Sequence, residues 1–133
     1  MTEHRERLVG VAPDLAAKAG MILTALAALG YPAWVVEGVR SLERQKALYA
    51  QGRTQPGPIV TRADGTRVDQ CTHSPQADGY GHAVDFAFQG ESPWDATHPW
   101  PLLGAMARAL GLTWGGDWKS LKGDLGHVEV RTV

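Results

Sequence analysis

The chain has 133 residues, which is the size of one ordinary domain and is long enough to bury a substantial core without disulfides or a structural metal. Thirteen Lys and Arg residues against fourteen Asp and Glu residues leave a formal charge of -1, without the basic excess of proteins that bind nucleic acid or anionic membranes. We therefore treat residues 1–133 as a single domain and expect no nucleic-acid partner.

Neither a secretory signal nor a membrane-spanning segment is predicted. The start, MTEHRERLVG, is charged and lacks a long apolar stretch with a small-residue cleavage site. The longest apolar run, around MILTALAALG, is too short to cross a bilayer. The single cysteine, Cys71, excludes an intrachain disulfide framework and cysteine-rich zinc modules. We expect a monomer that is made in the cytoplasm and does not insert into membranes.

The first elements predicted along the chain are a helix and a strand. Apolar residues at steps of three and four predict a helix over residues 14–29, with Pro13 suited to its start and Gly30 to its end. The β-branched and aromatic run over residues 34–39 predicts a strand, with Arg40 at its far end.

A second helix and a long loop follow. The segment SLERQKALYAQG predicts a helix with Ser41 as its N-cap and Gly52 beyond its C-terminus. Residues 53–81 are rich in glycine and proline and show little periodicity, which predicts mostly loop, with a short hairpin turning at residues 63–65. Loops of this length are usually functional or disordered.

The last part of the chain predicts two strands and one helix. HAVDFAF and HVEV are typical of strands, WPLLGAMARALG predicts a third helix closed by Gly111, and WGGDWKSLKGDLG predicts a loop leading into HVEV. Helices and non-alternating strands separated by long loops predict an α+β domain with a small antiparallel sheet and flanking helices.

Histidines and aspartates near these last strands suggest a metal site. Zinc favours imidazole and carboxylate ligands, and a catalytic zinc usually has three protein ligands and one open position. The candidate ligands are His73, Asp85 and His127, with His82 in reserve. Asp124 lies three residues before His127 and is the candidate general base, since an acceptor must take the proton of the attacking water.

Four blocks, in order, resemble a known family. They are EGVRSLERQKALYAQGRTQPGPIVTRADG; the pieces CTH and GHAVDF; WGGDW; and DLGHVEV. With the weaker lead RLVGVAPDL, they cover nearly the whole chain. They resemble the zinc peptidoglycan peptidases of the family of VanY-like D-Ala-D-Ala carboxypeptidases and L-alanyl-D-glutamate endopeptidases, which includes many phage endolysins. The resemblance implies a compact α+β fold of the Hedgehog/DD-peptidase-like kind, with the metal on an antiparallel sheet.

The resemblance also implies roles for individual residues. Asp85 and His127 match the family's zinc ligands, and Asp124 matches its general base. Arg40 matches a residue that holds the substrate carbonyl or the developing oxyanion, where a fixed cation is worth most.

The first zinc ligand departs from the family's pattern. The family has a histidine seven residues before the ligand aspartate, and here that position is Asp78. We favour His73, with CTH standing for the family's S-x-H element and a short insertion after it, because longer loops cost little closure entropy. The alternative His82 lies three residues from Asp85, so the two would point to opposite faces of an extended strand. Asp78 and a Cys71 thiolate are further alternatives.

Simpler explanations exist for several of these residues. Asp124 is also suited to a turn before a glycine, and Arg40 to a surface ion pair or to the start of a helix. Glu129 shares a strand face with His127, so it is either an acceptor for an imidazole N–H or a solvated strand residue. Trp114 and Trp118 either line the substrate groove or belong to the core, and we expect Trp114 to be core.

The predicted function is that of a zinc metallopeptidase acting on the peptidoglycan stem peptide. An aspartate three residues before the last histidine, as in Asp124 and His127, resembles the L-alanyl-D-glutamate endopeptidases, whereas the D-Ala-D-Ala carboxypeptidases and dipeptidases have glutamate there. These carboxypeptidases are the first alternative. A non-catalytic, zinc-bearing cell-wall binding module is the second, disfavoured because Asp124 and Arg40 are both present. We expect a single-domain phage endolysin or a cytosolic wall-recycling enzyme.

Overall fold

The computed structural model describes residues 3–59, 72–118 and 124–130. In these ranges the chain forms the helices α1 (Pro13–Ala28), α2 (Leu42–Ala50) and α3 (Trp100–Ala109) and the strands β1 (Ala33–Glu37), β2 (Ala83–Phe88), β3 (Thr113–Trp114) and β4 (His127–Glu129). Short 3-10 helices occupy Arg5–Leu8 and Gly115–Asp117. The fold is α+β, as predicted. The predicted hairpin at residues 63–65 lies outside the described residues.

The two predicted helices of the first half begin where the sequence signals place them. α1 runs over 13–28 instead of 14–29, with proline in its first turn and Gly30 in the left-handed region at φ 89° after its end. Ser41 caps α2, because its Oγ accepts a hydrogen bond of 3.1 Å from the backbone N–H of Arg44. No helix in the described part of the chain is long and apolar enough to cross a membrane.

The four strands form one antiparallel sheet in the order β1-β2-β4-β3. The predicted terminal strand, β4, therefore lies inside the sheet, between β2 and the short strand β3. The region of Trp114 is predicted as loop, and the short strand β3 is not predicted, because two residues carry no strand periodicity.

One face of the sheet packs on helices and the other carries the polar residues. The core residues of the strands and of the two packed helices α1 and α3 form one cluster that includes Leu15, Ile22, Leu26, Val35, Val84, Phe86, Trp100, Leu103 and Val128. Side chains alternate between the two faces of a strand. Residues next to these core positions, including Asp85 on β2 and His127 on β4, therefore point to the opposite face.

A bulge in β1 sets the register at the polar end of the sheet. Val35 pairs with Phe86, but Glu37 pairs with Asp85, so two steps along β1 match one step along β2. Without this extra residue, Glu37 would share the core face with Val35. The bulge brings Glu37 onto the face of Asp85 instead.

β1 ends at Glu37, two residues earlier than the predicted end at Val39. Beyond it the backbone bonds to the segment that precedes β2. The N–H of Arg40 donates to the carbonyl of His73 at 2.8 Å, and Nδ1 of His73 lies 2.7 Å from the carbonyl oxygen of Gly38. These contacts take the chain out of the sheet and place His73 beside Arg40.

Candidate metal centre

Three side chains converge on the polar face of the sheet. Nε2 of His73 and Nδ1 of His127 each lie 3.1 Å from Oδ1 of Asp85, and the three potential ligand atoms lie within 4.8 Å of one another. Both histidines are buried, with exposed fractions of 3% and 5%. The structure thus brings together the three predicted metal ligands.

The sheet register places two of the three. Asp85 on β2 is the direct cross-strand neighbour of His127 on β4, and such neighbours share a face. His73 comes from the loop before β2, which is held by the hydrogen bond of 2.7 Å from the N–H of His82 to the carbonyl of Thr72.

The outer nitrogen of each imidazole has its own acceptor. Nδ1 of His73 lies 2.7 Å from the Gly38 carbonyl oxygen, and Nε2 of His127 lies 2.8 Å from Oε1 of Glu129. Glu129 is 1% exposed, so the alternative of a solvated strand residue is wrong. With a proton held on each outer nitrogen, the inner nitrogens, which face Asp85, are the ones that can bind a proton or a metal ion.

The charges of the cluster favour a cation. Burial alone would lower the pKa of His127, but its hydrogen bonds to Asp85 and Glu129 outweigh burial and raise that pKa to about 9. Burial would raise the pKa of Asp85, but the charge of His73 and the hydrogen bond from His127 hold it well below its usual range. The carboxylates therefore select positive charge at this point, as a proton in the metal-free protein or as a metal ion.

The residues fit a divalent metal ion. Nε2 of His73 is buried and makes no hydrogen bond of acceptable geometry with the described residues, although it faces Asp85. A buried nitrogen without a donor or acceptor partner is costly, and a metal ion would satisfy it. Two imidazoles and one carboxylate also form a donor set that zinc accepts while keeping one position open.

Arg40 is held next to this cluster. Its Nε and one terminal nitrogen contact the two oxygens of Glu37 at 3.0 and 2.7 Å, and its other terminal nitrogen donates to Oε1 of Gln45 at 2.8 Å. The terminal nitrogen that contacts Glu37 also lies 3.5 Å from Oδ2 of Asp85. The Arg40 side chain is only 12% exposed, so the ion pair that the sequence offered as an alternative does form, with Glu37, but it is largely buried.

Neither partner of Arg40, Glu37 or Gln45, is predicted from the sequence. Glu37 lies three residues before it, but a regular strand would have turned Glu37 into the core. Gln45 lies on α2 and is 1% exposed, and a buried glutamine one helical turn after an N-cap gives no distinctive sequence signal.

Asp124 lies at the edge of the cluster. Its Oδ2 is 4.0 Å from Nδ1 of His127, and its side chain is 50% exposed. Its backbone also forms a turn, because its N–H donates to Gly115 and its carbonyl accepts from the N–H of His127. Partial burial and the nearby charge of Asp85 raise the pKa of Asp124. Asp124 therefore combines the turn role with a position suited to proton transfer.

The two tryptophans of WGGDW have different surroundings. The ring of Trp118 lies 4.8 Å from that of His127, measured between centroids, so it borders the cluster. Trp114 is 6% exposed, belongs to the core as expected, and donates from Nε1 to the Leu125 carbonyl at 2.8 Å.

The reserve candidates lie outside the cluster. Nε2 of His82 contacts Oδ2 of Asp78 at 2.8 Å, and these two residues do not belong to the group formed by His73, Asp85 and His127. The opposite orientations expected for His82 and Asp85 agree with this arrangement. Cys71 lies outside the described residues.

Comparisons of the sequence find relatives among peptidoglycan peptidases. A family model described as D-alanyl-D-alanine carboxypeptidase matches residues 70–130, the part that contains the cluster. The peptidoglycan L-alanyl-D-glutamate endopeptidase CwlK of Bacillus subtilis (strain 168) is 36% identical over 129 residues, covering 89% of this chain and 72% of CwlK.

Solved structures resemble the fold. The L-Ala D-Glu endopeptidase ChiX of Serratia marcescens matches with a TM-score of 0.59 and 26% identity, over 98% of this chain and 87% of ChiX. The vancomycin-resistance D,D-dipeptidase VanXYg, in complex with a D-Ala-D-Ala phosphinate analogue, matches with a TM-score of 0.55 and 21% identity. That match covers 90% of this chain and 49% of VanXYg, and it concerns the fold alone.

Proposed function

Because the chain belongs to the peptidoglycan peptidase family described as D-alanyl-D-alanine carboxypeptidase, we propose that it is a zinc-dependent endopeptidase that hydrolyses the L-alanyl-D-glutamate bond of the stem peptide. The convergence of His73, Asp85 and His127, with Arg40 and Asp124 beside them, is the observation that carries this proposal. A metal cluster alone would suit a structural site, whereas the added cation and half-exposed carboxylate are the groups that peptide hydrolysis needs.

His73, Asp85 and His127 are the proposed zinc ligands, through Nε2, Oδ1 and Nδ1 respectively. Bound zinc would supply Lewis-acid polarisation of the scissile carbonyl and a lowered pKa for water. The outer contacts of the two imidazoles to Gly38 and Glu129 keep their lone pairs directed at the shared position.

Asp124 is the proposed general base. Its carboxylate takes one proton from water as the water oxygen bonds to the carbonyl carbon, and it then delivers that proton to the amine that leaves when the C–N bond breaks. Its raised pKa brings the carboxyl closer to the range in which it gives the proton back.

Arg40 is the proposed group that stabilises charge on the substrate. Two sides of its guanidinium are fixed by Glu37 and Gln45, so it is oriented before the substrate arrives. A donor that needs no reorientation stabilises a developing negative charge more than a mobile one does.

The L-alanyl-D-glutamate bond is favoured by two relatives of this specificity, CwlK and ChiX, both of which match most of this chain. Asp124, in place of the glutamate of the carboxypeptidases, supports the same choice. The alternative is cleavage of D-Ala-D-Ala, which the description of the matching family model favours. Phage lysis and wall recycling are both consistent with the proposal, and the monomeric state stays a prediction.

Digestion of purified peptidoglycan tests the proposal. The expected products have new L-Ala carboxyl and D-Glu amine ends, identified by mass spectrometry, and removal of metal with a chelator should abolish them. Loss of terminal D-Ala would instead establish the carboxypeptidase alternative. No product from protein that holds zinc would establish the binding module.

A further inference from the structure

The two histidines of the cluster differ in the acceptor that holds their outer nitrogen. A neutral backbone carbonyl, that of Gly38, accepts from His73 at 2.7 Å, whereas the carboxylate of Glu129 accepts from His127 at 2.8 Å. A hydrogen bond to an ionised acceptor is stronger than one to a neutral acceptor. The electronic environment of His127 therefore depends on a buried charge, and that of His73 does not.

The fold places Glu129 for this contact. Glu129 lies two residues after His127 on β4, so both side chains point to the same face. Its cross-strand neighbour on β2 is Ala83, whose small side chain leaves space over the sheet for a carboxylate. Glu129 is nonetheless 1% exposed, and a buried carboxylate is costly unless a strong partner compensates it.

We propose that Glu129 is a positioning residue that acts on the metal through His127. Its carboxylate holds the proton on Nε2, so that Nδ1, which faces Asp85, is the nitrogen that a metal ion would occupy. It also increases the electron density that Nδ1 offers to a divalent cation. This inference rests on the proposed function, since it requires that His127 binds the metal.

Replacement by glutamine separates this role from a purely structural one. The amide oxygen of Glu129→Gln still accepts a hydrogen bond from Nε2 of His127, but the negative charge is gone. A residue that only fills space or links neighbouring atoms would tolerate this change. Glu91→Gln is the matched control, because Glu91 is an exposed glutamate in the loop after β2.

The readout is the zinc affinity of the zinc-loaded protein, measured by competition with a chromophoric chelator. Glu129→Gln should bind Zn²⁺ about tenfold more weakly than wild type, and Glu129→Ala up to about 100-fold more weakly, as is typical for groups that hold a ligating histidine. Glu91→Gln should match wild type. The absorption bands of the Co²⁺-substituted protein should shift in Glu129→Gln, because they report the ligand field at the metal.

The outcomes separate this inference from the proposed function. Wild-type protein that does not bind Zn²⁺ would overturn both. Wild type and folded Glu129→Gln with equal affinity and equal Co²⁺ bands would overturn only the role of Glu129. If Glu129→Gln does not fold, nitrogen-15 NMR of the zinc-loaded wild type decides: a proton on Nε2 of His127 supports the proposal, and an unprotonated Nε2 overturns it.

Discussion

Arg40 and Glu37 form a bidentate ion pair. Nε and one terminal nitrogen of the guanidinium lie 3.0 and 2.7 Å from the two carboxylate oxygens. The bulge of β1 makes this pair possible, because it brings Glu37 to the face of the sheet that carries Asp85. The geometry of the cluster therefore extends beyond its potential ligands to the residue that orients the neighbouring cation.

Glu37→Gln should lower kcat/KM about tenfold or more and leave zinc content unchanged. A hydrogen bond to a charged group contributes about 1.5–3 kcal/mol, and about 1.4 kcal/mol corresponds to a factor of ten in rate. Steady-state hydrolysis of stem peptides and elemental analysis measure the two quantities. Glu43→Gln, at an exposed glutamate in the first turn of α2, is the control. Equal activity of the two variants would contradict the orienting role of Glu37.

Asp124→Asn should retain zinc but lose about 100- to 10,000-fold in kcat, the range typical of a missing general base. The amide has the size of the carboxyl group but cannot accept the proton of water at neutral pH. Zinc stoichiometry and single-turnover hydrolysis should be measured on the same preparation. Near-wild-type turnover would show that another group is the base.

His73→Ala should lose zinc, whereas His82→Ala should still hold about one equivalent. Nε2 of His73 faces Asp85, but Nε2 of His82 contacts the exposed Asp78. Elemental analysis after dialysis gives the metal content, and thermal unfolding shows whether each variant is folded. Zinc that survives in His73→Ala but not in His82→Ala would reverse the assignment.

Zinc affinity should rise with pH until about 9, because the raised pKa of His127 makes protons compete with the metal below that value. The stability of the metal-free protein should change in the opposite direction. A pKa raised from 6.5 to about 9 by folding gives stability that is fully present below pH 6.5 and is lost as the pH rises through about 9. Chelator competition and urea unfolding of metal-free protein measure these two trends, and parallel trends would contradict the role of His127.

The sequence predicts the main elements and the cluster but not the contacts that complete it. Apolar spacing and Ser41 predict α1 and α2 to within a residue or two, since local propensity and capping determine them. The resemblance of CTH to the family's S-x-H element favours His73 as the third residue of the cluster, and the opposite orientations expected for His82 and Asp85 along an extended strand disfavour His82.

The features that the sequence does not predict depend on how segments that are distant in the chain pair with one another. A bulge depends on the partner strand as much as on its own sequence, so the contact between Glu37 and Arg40 cannot be read from β1 alone. The strand order, with the last strand inside the sheet, and the burial of Gln45 against Arg40 likewise follow from tertiary packing.

Glu37, Asp85 and His127 form one row across three neighbouring strands, although they are far apart in the chain. No single hairpin contains the row, so an unfolded or partly folded chain has no equivalent of it. A metal ion held by Asp85 and His127 of this row, together with His73, would bind the native state almost exclusively. By mass action it would act as a reversible cross-link between β2, β4 and the loop that carries His73. At a free concentration of 100 times the dissociation constant, such a ligand adds about 2.7 kcal/mol to the free energy of unfolding. Metal supply would then determine how long the folded enzyme survives as well as how fast it works.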